Sequence, residues 1–196
     1  MKANTGKVLW VDLTTGTFSE EIIPDSIYQK YLSGIGLGAA LLYRDIPAGA
    51  DALGPDNILG FMSGLLTGSG SLFSGRWMAV GKSPLTGGWG DANCGGTFAF
   101  AIKQTGYDGI LFKGISSTPV YLLVDSHGPK LLDASHLWGK DTVATQAALA
   151  GKRVAIFDAD IFSPGIHVPF GLDQNTMGLT LNDFLHGRCD IQDVAL

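Results

Sequence analysis

Residues 74–96 read SGRWMAVGKSPLTGGWGDANCGG and hold the side chains best suited to chemistry in this chain. Arg76 is a permanent cation whose planar fork matches a phosphate. Lys82 and Ser83 follow at a Ser-Pro turn, and Asn93, Cys94, Gly95 and Gly96 close the stretch. Eleven glycines lie between Gly60 and Gly96. Glycine at that density is required where backbone approaches a ligand closely or turns where a Cβ would clash. Gly95 and Gly96 precede an apolar run, TFAFAIKQ, that reads as the first turns of a helix, and free N–H groups at such a start attract anions. The pattern predicts a bed for a large, flat, phosphorylated ligand.

Each of these residues has a second reading. Arg76 either clamps a phosphate or pairs with an exposed carboxylate. Lys82 and Ser83 either reach the same phosphates or serve the turn. Asn93 can cap the following helix. Cys94, near a helix start, would have an acidified thiol if functional, and is otherwise structural.

The elements that must position this stretch follow from the apolar pattern. Lys7–Leu13 and Thr17–Ile23 read as a hairpin around Thr14–Thr15–Gly16. Pro24–Asp25–Ser26 opens a helix with Tyr28, Tyr31, Leu32 and Ile35 at helical spacing. Gly34, Gly36 and Gly38 interrupt it before LGAALLYRD resumes. Gly34-x-Gly36-x-x-Ala39 has the outline of a dinucleotide fingerprint but follows a helix rather than a strand, so a kink with close packing is expected. Strands are expected at 57–62, 76–81, 109–113 and 120–124, and a glycine-rich loop at 63–75. A turn is expected at 83–88 and a helix from Gly95 to Thr105, ended by Gly106. His127–Gly128–Pro129 reads as a turn into Lys130–Leu132. Short, closely spaced strands with single helices give an α+β fold with antiparallel-rich sheets and few helices.

Composition narrows the function. Of 196 residues, 45% are hydrophobic and 16% charged, which permits a large core and leaves little to solvate the surface. The net charge of −5 and the lack of any Lys/Arg run argue against nucleic acid. Cys94 and Cys189 form no CxxC, and His127, His136, His167 and His186 are scattered, so neither type builds a metal site. No apolar leader and no run of bilayer length occur, so the expectation is a soluble, cytoplasmic protein with no membrane contact.

The stretch GRWMAVGKSPLTG followed by ANCGG resembles the pterin-binding segment of the tungsten-containing aldehyde:ferredoxin oxidoreductases. GKVLWVDLTTG, KQTGYDGILFKG and DASHLWGKDT are similar to further blocks of that family, in the same order, from about Gly6 to Gln146. The resemblance implies a tungsten (or molybdenum) bis-pterin cofactor, with a magnesium ion linking the two pterin phosphates. It implies cofactor contact by Arg76, Lys82, Ser83, Asn93, Cys94, Gly95 and Gly96. It also implies that the Asn93 backbone carbonyl ligates the magnesium, a reasonable role for a carbonyl facing a hard cation. The reaction so implied converts aldehydes to carboxylic acids, with ferredoxin as electron acceptor and a homodimer as the assembly. The family's 4Fe-4S cluster is held by four cysteines in later domains, and no such set stands in this sequence. Residues 1–146 are therefore expected to form an incomplete tungstopterin-binding domain, its last third replaced and inactive in catalysis on its own.

The remainder changes character. GKRVAIFDADIFSPGIHVPFGLD is similar to the segment after the P-loop helix of MinD/ParA-type ATPases, over about Leu149 to Val194. Asp158 and Asp160 match carboxylates that the resemblance places near a nucleotide's magnesium and attacking water. The P-loop itself is missing, Gly139–Lys140–Asp141–Thr142 being its nearest approach. Residues 147–196 are thus expected to be an ATPase-like strand–helix fragment, and the whole chain a truncated chimera.

Overall fold

The computed structural model describes residues 3–149, Phe73 apart. The first hairpin forms as expected: β1 (Lys7–Asp12) pairs antiparallel with β2 (Thr17–Ile22). Its turn is an Asx turn, in which the Asp12 carboxylate accepts the N–H groups of Thr14 and Thr15, both at 3.0 Å. Two short helices follow, α1 (Asp25–Tyr31) and α2 (Ile35–Asp45), broken at Leu32–Gly34. Then come β3 (Ile58–Ser63), β4 (Trp77–Lys82), β5 (Trp89–Cys94), α3 (Phe98–Gln104) and β6 (Gly109–Lys113). A separate hairpin, β7 (Val120–Asp125) and β8 (Gly128–Asp133), completes the main body, which ends at Trp138. Its turn is tighter than expected: Gly128 already pairs with Asp125, so Gly128 and Pro129 belong to the strand and only Ser126 and His127 turn.

The main sheet runs β2-β1-β6-β3-β4-β5. Only β1 and β6 are parallel neighbours; every other pair is antiparallel. The α+β class is therefore correct. Both faces of the sheet centre are covered, which is why Val8 and Leu9 are successive buried residues rather than alternating ones. Val8, Met62, Val80 and Leu111 meet Leu37, Leu41 and Leu42 of α2 on one face. Leu9, Val11, Tyr107 and Ile110 pack with Leu122, Val124 and Leu131 of the small hairpin on the other. Beside that second cluster, Trp77 packs edge-on against Phe98 of α3, ring centroids 4.8 Å apart.

In the stretch with the apparent dinucleotide fingerprint, Gly34 makes the kink at φ 60°, and Gly36 and Gly38 serve packing. A Cβ at Gly38 would lie 2.9 Å from Val80 Cγ2 and 3.2 Å from Met62 Cγ, so α2 sits unusually close to the sheet. The second compact unit begins at Gly139, and its described part holds α4 (Thr142–Leu149). There the Asp141 carboxylate accepts the Ala144 N–H at 2.7 Å, an ordinary helix N-cap, so the Gly139–Thr142 stretch is a capped helix start. Asp158, Asp160, His167, His186 and Cys189 lie outside the described residues.

Candidate functional site

The β3–β4 ladder extends one pair beyond the strands. Gly64 N–H donates to the Arg76 carbonyl at 2.9 Å, continuing the register that pairs Ser63 with Trp77. On the other side Trp77 pairs with Cys94, which sets Arg76 opposite Gly95. A Cβ on Gly95 would lie 3.6 Å from Arg76 Nη1. Arg76 thus stands between two glycines at the open end of the sheet. Its side chain is exposed, and it makes no ion pair among the described residues.

Asn93 and Cys94 are the last residues of β5, an exposed edge strand, with Asn93 opposite Met78. Cys94 is a free, exposed thiol. Gly95 accepts a hydrogen bond from Trp77 Nε1 at 3.2 Å, and Gly96 bends the chain at φ +91° with nothing within 4 Å of its Cβ position. Two expectations need correction here. The helix begins at Phe98, not Gly95, so the free N–H groups of its first turn are not those of Gly95 and Gly96. Its N-cap position is Thr97, and Asn93 lies in a strand, so it caps nothing. The bend lies at Gly96, while 89–94 are extended because they hydrogen-bond along β4.

Lys82 and Ser83 are not brought to this point. They sit at the far end of β4, six residues and about 20 Å along an extended chain from Arg76. The Lys82 ammonium donates to the Ala50 carbonyl, and the Lys82 N–H to Asn57 Oδ1 at 3.1 Å. Ser83 accepts Gly87 N–H at 2.8 Å and Thr86 N–H, on its hydroxyl, at 3.2 Å. Its turn role is the one built. Among the described residues no three His, Cys, Asp or Glu side chains group to hold a metal, and no helix is long and apolar enough to cross a membrane. His127 and His136 are exposed.

One supporting residue has no signature in the sequence beyond a charge placed just before an apolar strand. Asp108 is fully buried. Its carboxylate accepts the N–H groups of Thr5 (3.0 and 3.1 Å) and Gly6 (2.9 Å), the Tyr28 hydroxyl (2.5 Å) and the Lys103 ammonium. Its own carbonyl accepts Ser63 N–H at 2.9 Å, next to Gly64. Burial pushes the carboxyl pKa up, but the hydrogen bonds from Lys103, Tyr28 and Thr5 outweigh it and hold the group below the usual carboxylate range. Burial first, then the hydrogen bond to Asp108 and its charge, raises the Tyr28 pKa, so its hydroxyl stays a donor.

The fold is thus an α+β sheet with an exposed arginine at the end of β4, set between Gly64 and Gly95 and beside the edge strand β5. The chain belongs to the family described as the aldehyde ferredoxin oxidoreductase N-terminal domain, which matches residues 8–163. It is 40% identical over 149 residues to the tungsten-containing aldehyde ferredoxin oxidoreductase of Thermococcus kodakarensis, covering 76% of this chain and 25% of that protein. With the enzyme of the same description from Pyrococcus abyssi it shares 39% over 144 residues, 74% of this chain and 24% of the relative. The chain thus spans about a quarter of the length of these relatives. Among solved structures it is similar to the active-site complex BamBC of benzoyl coenzyme A reductase with 1,5-dienoyl-CoA. That match has a TM-score of 0.73 at 30% identity and covers 88% of this chain and 24% of that one. A further similarity, 41% identity over 59 residues, is to an uncharacterised ATP-binding protein of Methanocaldococcus jannaschii, covering 28% of this chain and 22% of that protein.

Proposed function

We propose that this chain binds a tungsten (or molybdenum) bis-pterin through Arg76, Asn93, Gly95 and Gly96, as the cofactor-binding portion of an aldehyde:ferredoxin oxidoreductase. The observation that carries this reading is Arg76 itself, exposed, free of any ion pair among the described residues and flanked across both ladders by glycine. The residues present fit the group. The guanidinium suits a pterin phosphate, and the glycines leave room for backbone to reach it. The Asn93 carbonyl, on an edge strand, is the proposed magnesium ligand. The cofactor, when bound, supplies the redox chemistry of aldehyde oxidation. This chain's share is to fix the phosphate with Arg76 and to orient the ligand against the bare backbone of Gly95–Gly96.

A 4Fe-4S cluster takes four cysteines, and the sequence holds two, Cys94 and Cys189. These residues do not by themselves supply a cluster, and the chain alone is expected to bind the cofactor without turning over aldehyde.

The test is tungsten and pterin content of the chain purified from a cofactor-making host grown with tungstate. Arg76→Ala is expected to weaken retention roughly ten- to a hundredfold, the range for a hydrogen bond to a charged group. Unchanged content in that variant would remove Arg76 from the site. Gly95→Ala separates ligand approach from folding. Gly95 does not occupy the left-handed region, and the added methyl makes only ordinary contact with Arg76. Its unfolding free energy should stay within about 0.5 kcal/mol of wild type, while cofactor content falls. Full cofactor content in the alanine variant would show that nothing approaches the backbone there.

A second reading, a nucleotide site built on Asp158 and Asp160 with domains divided near 146, is motivated by the 59-residue similarity to an ATP-binding protein. The missing P-loop weighs against it. Protection of the chain against thermal unfolding by magnesium-ATP would favour it. Absence of both tungsten and such protection would leave a non-catalytic remnant.

A further inference from the structure

Among the described residues Leu32 is the only non-glycine residue with positive φ. At φ 62° and ψ −136° it holds a conformation that glycine adopts freely and that a branched side chain does not. Burial does not explain the choice, because Leu32 is 59% exposed. The strain is imposed by its neighbours. Leu32 N–H donates to the Tyr28 carbonyl at 2.8 Å, closing α1. Ser33 Oγ and Gly34 N–H then both donate to the Ser63 carbonyl, at 2.8 and 3.1 Å. The turn is thereby pinned over the end of β3, one residue before Gly64 and its partner Arg76.

The same turn touches the other half of the bed. The Cβ position of Gly34 lies 3.8 Å from Met78 Cγ, and Met78 is the residue opposite Asn93. Residues 76 and 78 share a face by strand alternation. The α1–α2 turn therefore borders the face on which Arg76 and Asn93 stand. On the opposite face Phe100, also partly exposed, lies against Gly75. A cation with an apolar border on its own face suits a planar ring carrying a phosphate.

We infer that Leu32 is a cofactor-contact residue, held in a strained conformation at the border of the Arg76 bed so that its side chain packs against the bound pterin ring. The inference rests on the reading of that bed as the bis-pterin site. An exposed, strained leucine where glycine would be free of strain is what selection for contact leaves behind, since folding alone favours glycine there.

The experiment uses the full chain loaded during expression with tungstate, and reads tungsten content, pterin fluorescence after oxidation, and the melting temperature of cofactor-free protein. Leu32→Gly is expected to leave the cofactor-free melting temperature unchanged or raised by roughly 2–4 °C. Cofactor content should fall about fivefold or more, from the loss of one apolar contact. Leu32→Asn, which tolerates positive φ but lacks the apolar surface, should fall likewise, and Leu32→Met should retain content. Full content in both Leu32→Gly and Leu32→Asn, with wild type loaded and Arg76→Ala depleted, would overturn the inference and leave the site reading intact. A wild-type chain that takes up neither tungsten nor pterin would overturn both.

Discussion

Asp108→Ala is expected to lower the unfolding free energy by about 3–5 kcal/mol, the range for removing one partner of a buried ion pair. Three elements lose their tie at once. The Lys103 ammonium, on α3 and only 7% exposed, keeps a single carbonyl partner, Ala3 O at 3.2 Å. The Tyr28 hydroxyl on α1 and the N–H groups of Thr5 and Gly6 lose their acceptor. Leaving buried donors without an acceptor, and a buried cation with only one neutral partner, costs more than the pair itself contributes. Denaturant titration of Asp108→Ala against Lys103→Met checks this. Lys103→Met should cost less, because three neutral donor groups still serve the carboxylate, and a larger loss from Lys103→Met would refute the account.

The same group shapes the acid limb of stability. Its folded pKa is lowered, so the unfolded chain takes up the proton first as pH falls. The Asp108 contribution is fully present above the unfolded value of about 3.9 and is lost as pH drops through the folded value. Urea midpoints followed from pH 6 to pH 2 should fall less steeply below pH 4 in Asp108→Asn than in wild type. Parallel acid limbs would show that Asp108 is not the group responsible.

The second large effect is Gly36→Ala, expected to cost about 3 kcal/mol, at the upper end for overpacking. Helix propensity alone predicts the reverse, since alanine is favoured over glycine by about 1 kcal/mol within a helix. Packing decides the sign. A Cβ at Gly36 would run into the Tyr31 carbonyl oxygen, with the Tyr31 carbonyl carbon 3.1 Å away. That is backbone, so no rotamer relieves it. Nor can α1 back away while Ser33 and Gly34 hold the turn to Ser63. A midpoint for Gly36→Ala at or above wild type would mean that the α1–α2 junction is looser than its hydrogen bonds indicate.

How much of this the residues announced depends on how local the cause is. The Lys7–Ile22 hairpin was legible because its turn chemistry, Asp12 to Gly16, lies within five consecutive residues. The roles of Gly34 and Gly36, a kink and a close packing rather than dinucleotide binding, were legible from what precedes them, a helix. The strand at Trp89–Cys94 was not legible. WGDANC is poor in β-formers, and it is extended only because β4 offers it a partner. The Asp108 network was equally silent, since Thr5, Tyr28 and Lys103 are scattered in sequence and meet only in the folded chain.

The sequence by itself determined the α+β class and the family, and it supplied the short list of proposed cofactor residues, because ordered blocks of glycine, arginine and apolar residues carry those in local spacing. Only the tertiary structure decided which residues on that list meet. Strand rise sends Lys82 and Ser83 to the far end of β4. Strand register sets Arg76 between Gly64 and Gly95 with Asn93 on the neighbouring pair. Register is a long-range property, fixed by how the whole sheet buries its two faces, and no single segment contains it.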